Sequence, residues 1–148
     1  AGLLLPRMMP LLRPGGYAWF TANCDGALLC EPGLSQVDEP ALLARYARQA
    51  APWPARRLLT LIRDCGARLL AAGSSDSVLF ADERGAYPAD ERFYLARRLE
   101  AIRETLRADP GVDAAALSDW YVLRRSHLEA GSLVFVSHRL DILAQTAG

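Results

Sequence analysis

Apolar positions along the 148-residue chain fall into runs with a helical repeat and shorter runs without one. The strongest helical repeat covers about 89–108, with Leu95, Leu99, Ile102 and Leu106 on one face and Arg and Glu on the other. Asp109-Pro110-Gly111 ends it. A further helix is expected from Asp113 to about Ala130, with Ala116, Trp120, Leu123 and His127 on one stripe, flanked by Leu117 and Leu128. Gly131 is its stop, and a β-hairpin over 119–125 and 132–137 competes with that reading. Asp38-Glu39-Pro40 opens a helix through about Gln49, combining a capping acid, an acidic first turn and an early proline. After a rigid Ala51-Pro52-Trp53-Pro54 link, Leu58, Leu61, Ile62 and Cys65 set a helix over about 55–65, stopped by Gly66. Residues 3–12 carry a weaker stripe, broken by Pro6 and Pro10.

The remaining apolar runs read as strands. Tyr17–Ala22 is apolar on both faces, as expected of a strand covered by helices on each side. It follows a Pro14-Gly15-Gly16 turn and ends at Asn23-Cys24-Asp25-Gly26, whose Asn, Asp and Gly are turn formers. Ala27–Cys30 is a short apolar run broken off by Glu31-Pro32-Gly33. Residues 67–72 and 77–81 are expected to be extended, separated by Gly73-Ser74-Ser75-Asp76. One helix across 55–72 is the alternative, but its interior glycine costs about 1 kcal/mol relative to alanine. Asp82–Gly85 is a turn, and Leu133–Val136 is a last strand leading into His138-Arg139-Leu140-Asp141.

Composition narrows the class. Seventeen basic residues, all arginine, balance seventeen acidic ones, so nothing suggests a nucleic-acid partner or an acidic membrane face. The apolar start is far short of the roughly 20 residues a membrane span needs. Three cysteines form no CxxC pair or metal box, and an odd count without a leader points to a reducing cytoplasm. One domain is the default at this length.

Several stretches, LLRPGG at 11–16, FTANCDG at 20–26, RDCGARLLAAGSSD at 63–76, GAYPADERFYL at 85–95 and RRSHLEAGSLVFVSHRLDIL at 124–143, occur in order along the chain. Together this set resembles the C-terminal half of bacterial class I S-adenosylmethionine-dependent methyltransferases. The resemblance implies an α/β fold, the C-terminal part of a Rossmann-like sheet whose final hairpin is antiparallel. On that template 17–22 is the fifth strand, 67–72 the sixth and 132–137 the last. The helices over about 89–130 are then an insertion, a lid or a dimer contact, in a single partial domain spanning 1–148. It also implies S-adenosylmethionine as cofactor and a small-molecule substrate methylated by in-line displacement. The departure is the cofactor signature. The chain has no GxGxG turn, and Gly15-Gly16 lies in the wrong context for one. A fragment of a longer enzyme, or a chain completed by a missing N-terminal half or a homo-oligomer, is the expectation. A noncatalytic α+β binding or assembly module is the alternative.

By position, Thr21, Asn23 and Asp25 would face the pocket of a complete enzyme, and Ser74, Ser75 and Asp76 could line the same cleft. Tyr87 is a further pocket candidate. Against this, 23–26 reads equally well as a turn, 74–76 as a solvated loop, and Tyr87-Pro88-Ala89-Asp90 as a helix start. His127 and His138 read as hydrogen-bonded structural histidines, since neither has a triad or metal pattern nearby. The arginines at 97–107 and Arg124-Arg125 read as solvated helix faces. No metal site is expected.

Overall fold

The computed structural model describes residues 5–50 and 55–147, except the side chains of residues 24–27, 50, 55 and 56. In chain order the elements are α1 (Leu5–Met8), a 3-10 turn (Met9–Leu11), β1 (Tyr17–Glu31), α2 (Glu39–Ala50) and α3 (Ala55–Asp64). There follow β2 (Arg68–Leu79), α4 (Ala89–Arg107), α5 (Ala114–Glu129) and β3 (Val134–Gln145). The architecture is mixed α/β, with a three-stranded sheet in the order β1-β3-β2 among the described residues. The chain divides into two compact units. One comprises Ala1–Cys24, Ala51–Asp76 and His138–Gly148; the other comprises Asp25–Ala50 and Ser77–Ser137.

In the first unit the strands of the sheet run antiparallel. Thr146 N–H donates to Gly16 O at 2.9 Å, and further along Thr21 meets Asp141. On the other side of β3, Arg68 bonds Gln145 while Asp76 bonds His138. Each pairing descends β3 as it ascends the neighbour, so β1 and β2 both oppose β3 and are parallel to each other. Ile142 and Ala144 pack with Ile62 of α3, Leu5 of α1, Met9 and Ala67 to make this unit's core. Helix α3 ends as its sequence dictates: Gly66 takes a φ of +77°, its N–H donates to Arg63 O, and Ala67 N–H reaches Ile62 O. That pair of bonds satisfies two of the carbonyls a helix end leaves open.

The second unit is built around α4. Its four fully buried residues, Leu95, Leu99, Ile102 and Leu106, are the stripe read from the sequence. They pack with α2 through Leu42, Leu43 and Tyr46, with α5 through Leu117, Trp120 and Leu128, and with Leu133 and Phe135 at the start of β3. Asp113 caps α5 by accepting from the N–H groups of Ala115 and Ala116. Asp38 does the same for α2 through Ala41 N–H.

Several expectations are corrected. Asn23-Cys24-Asp25-Gly26 is not a turn: β1 runs through it without a break for fifteen residues. Gly73-Ser74-Ser75-Asp76 is likewise no loop but the middle of β2. In both cases pairing along β3 satisfies every second backbone group, and that outweighs weak local turn preferences. Nor is Tyr17–Ala22 covered on both faces. Tyr17, Trp19 and Thr21 are exposed while Ala18, Phe20 and Ala22 are half-buried, the two-residue alternation of a strand with one open face. The hairpin over 119–125 gives way to α5, and the single helix across 55–72 gives way to α3 and β2. No helix among the described residues is long and apolar enough to cross a membrane.

Candidate functional site

Asp141 sits on the central strand, and its neighbours supply the groups that hold it. Thr21 Oγ1 of β1 donates to Oδ1 at 2.9 Å, and Ser75 Oγ of β2 donates to Oδ2 at 2.9 Å. The Thr21 bond first, then that from Ser75, holds the Asp141 carboxyl below the ordinary aspartate range. A second pair forms beside it on the same two strands: His138 Nδ1 lies 2.7 Å from Asp76 Oδ1. Both members are solvent-accessible. Because Asp76 directly follows Ser75, the alternation of a strand puts this pair on the opposite face of the sheet from Ser75 and Asp141.

Three of the residues singled out from sequence are therefore drawn into cross-strand pairs of the first unit: Thr21 and Ser75 through Asp141, and Asp76 through His138. Asn23 is exposed on β1, two residues on from Thr21 and so on the same side of the strand. The side chain of Asp25 lies outside the described residues. Tyr87 belongs to the second unit, where its hydroxyl donates to Leu133 O at 2.6 Å and burial raises its pKa. That bond fastens the α4 entry to the start of β3. Reading the sequence missed Asp141, which is separated from Thr21 by 120 positions and from Ser75 by 66. Its only local signal was an acidic residue between Leu140 and Ile142.

The chemistry of these pairs follows from who donates to whom. A carboxylate that already accepts bonds from Thr21 and Ser75, and is held ionised, is a weak proton acceptor and a good cross-strand clasp. Ser75 gives its proton to Asp141, so no serine–histidine–aspartate relay is assembled. His138, oriented by Asp76, leaves its other ring nitrogen without a partner among the described residues. This is the one ring nitrogen of the two pairs left open to a bound molecule. No three His, Cys, Asp or Glu side chains among the described residues are grouped to hold a metal ion.

A depressed carboxyl pKa in the folded state adds stability that is complete above the unfolded aspartate value of about 4 and is lost as pH falls through the folded value. Asp141→Asn is thus expected to melt lower at neutral pH and to flatten the acid limb of the stability curve. Thermal unfolding from pH 2 to pH 6 checks this, and variant and wild-type curves that stay parallel across that window would refute the clasp.

The paired glycines do not form a cofactor cradle. Gly15 N–H donates to Ala147 O at 3.1 Å and Gly16 N–H to Arg13 O at 2.8 Å, so both amides close the turn onto the protein itself. A Cβ on Gly16 would stand 2.7 Å from Arg13 O, which accounts for glycine there without any ligand. The Gly15-Gly16 turn therefore does not fit the adenosyl cofactor.

A further cluster lies in the core of the second unit. Arg124 of α5 is fully buried, which overturns its reading as a solvated face. Its guanidinium forms a forked pair with Glu39 at the start of α2, through Nε and Nη2, and donates to Pro32 O at 2.7 Å and Cys30 O at 3.1 Å. Trp120 Nε1 completes the set by donating to Glu39 Oε1 at 2.6 Å. His127 stands 3.3 Å from Arg124 Nη1, and burial first, then this positive charge, lowers its pKa. Burial likewise pushes the Cys30 thiol up to about 12, which leaves it unreactive. With every nitrogen of the fork engaged, this cluster ties α5, α2 and β1 together and offers nothing to a substrate. No protein-family model and no curated protein matches the chain.

Proposed function

We propose that this chain is the C-terminal half of a Rossmann-like, S-adenosylmethionine-dependent methyltransferase that acts on a small molecule in the cytoplasm. The observation that supports the reading is the sheet. Two parallel strands, β1 and β2, are joined by a crossover through α2 and α3, and β3 runs antiparallel between them. β1 and β2 do not pair with each other, and both pairings of the sheet, each with β3, are antiparallel; an antiparallel last strand is what the resemblance implies for the end of this sheet. The pair α4–α5 falls between the last two strands, where the inserted lid is expected. Since the Gly15-Gly16 turn does not fit the cofactor, the glycine-rich turn that binds it would come from elsewhere. Within that reading, the open ring nitrogen of His138 is the group this half offers to the substrate, and Asp76 is its positioning residue.

The test is calorimetric titration of the gene product at its natural length with S-adenosylhomocysteine, with intact mass measured on the same sample. Saturable binding at one site per chain supports the methyltransferase reading. A monodisperse, cooperatively folding protein of 16.2 kDa that gives no binding overturns it and leaves the noncatalytic module.

A further inference from the structure

We infer that the groove between the C-terminal end of α4 and the first turns of α5 is a binding site for a small amphiphilic carboxylate, an acyl or aryl chain ending in one negative charge. The inference does not rest on the methyltransferase reading. The groove has a volume of about 490 Å³, within the range of small-molecule sites. Its floor is apolar, made by the buried Leu106 and Leu117, and Val122 adds an exposed apolar edge. Its polar groups are Arg103, Arg107, Ser118 and the Tyr121 ring, and no carboxylate lines it among the described residues.

The two arginines differ in what holds them. Arg103 lies over the Tyr121 ring, 4.4 Å from its centre, and within 4 Å of both Glu100 and Glu104. Glu100 in turn accepts from the Tyr121 hydroxyl, which holds the Glu100 pKa down and the Tyr121 pKa up. Arg103 is thus positioned and largely neutralised. Arg107, one turn on, is exposed and makes no ion pair among the described residues. The start of α5 does not compete for the anion, because the Asp113 carboxylate already occupies the N–H groups of Ala115 and Ala116. An uncommitted guanidinium beside an apolar floor selects a ligand with a charged head and an apolar body. Arg107 takes the head by charge-assisted hydrogen bonds, while Leu106, Leu117 and Val122 take the chain.

Sodium octanoate and 1-octanol, titrated into the full-length protein with calorimetric or saturation-transfer NMR detection, test the site. Octanoate is expected to bind saturably and 1-octanol about tenfold more weakly or worse, since a charge-assisted bond is lost. Arg107→Glu, an exposed substitution whose melting temperature should match wild type, is expected to weaken octanoate by at least about tenfold and leave octanol unchanged. Three results overturn the inference: no saturable octanoate binding, equal affinity for the alcohol, or octanoate affinity that Arg107→Glu and the milder Arg107→Gln both leave intact.

Discussion

Arg124→Ala is expected to lower the unfolding free energy by about 3–5 kcal/mol, the range for breaking a buried ion pair by removing one partner. The arginine is fully buried and Glu39 only slightly exposed. Without the guanidinium, the Glu39 carboxylate keeps one donor, Trp120 Nε1, and the carbonyls of Cys30 and Pro32 lose theirs. Arg124→Lys should recover little, because a point-charge ammonium cannot bond Glu39 in a fork and both carbonyls at once. The double variant Glu39→Leu/Arg124→Met should recover most of the loss, since an apolar pair of similar volume removes the desolvation penalty together with the attraction. Urea midpoints for wild type, both single variants and the double variant give the comparison. A loss under about 1 kcal/mol for Arg124→Ala is the exposed-pair value and would show that the guanidinium is not buried.

That network marks where sequence reading stops. Periodicity located α2, α3, α4 and α5 to within about two residues, because each buries an apolar stripe that its own spacing declares. On α5 the spacing placed the stripe on Ala116, Trp120, Leu123 and His127, but the buried stripe is Leu117, Trp120, Arg124 and Leu128, shifted by one residue at three of four positions. An arginine inside it is indistinguishable from a solvated neighbour such as Arg125 until Glu39, 85 positions earlier, is known to meet it. Strands fared differently. Their apolar cores were legible at 17–22, 67–72 and 133–136, but their lengths were not, because a strand extends as far as its partner supplies bonds. Glycine, serine and asparagine in β1 and β2 look like punctuation when read alone. Beside β3 they are rungs. The candidate site follows the same rule: Thr21, Ser75 and Asp76 drew notice as polar groups at apparent strand ends and His138 as a hydrogen-bonded histidine, whereas Asp141 and the partner of His138 became visible only through strand pairing.

Gly131→Ala is expected to cost about 2–5 kcal/mol. Two effects add: an L-residue held in the left-handed region, roughly 1–2 kcal/mol, and overpacking, about 1–3 kcal/mol. Gly131 has a φ of +70° as the residue that ends α5, donating to Leu128 O while Ser132 N–H reaches His127 O. A Cβ there would lie 2.1 Å from Gly85 O and 2.5 Å from Gly85 Cα, backbone atoms that no rotamer change can move. Two other glycines separate the effects. Gly66 ends α3 with a φ of +77° and has nothing within 4 Å of its would-be Cβ, so Gly66→Ala should show the backbone cost alone. Gly85 has a φ of +76° and would meet Ala130 O at 3.4 Å, an intermediate case. The expected order of destabilisation in denaturant titrations is Gly66→Ala, then Gly85→Ala, then Gly131→Ala. Equal losses at Gly66 and Gly131 would mean that left-handed geometry alone demands glycine, and that the loop after β2 does not press against the end of α5.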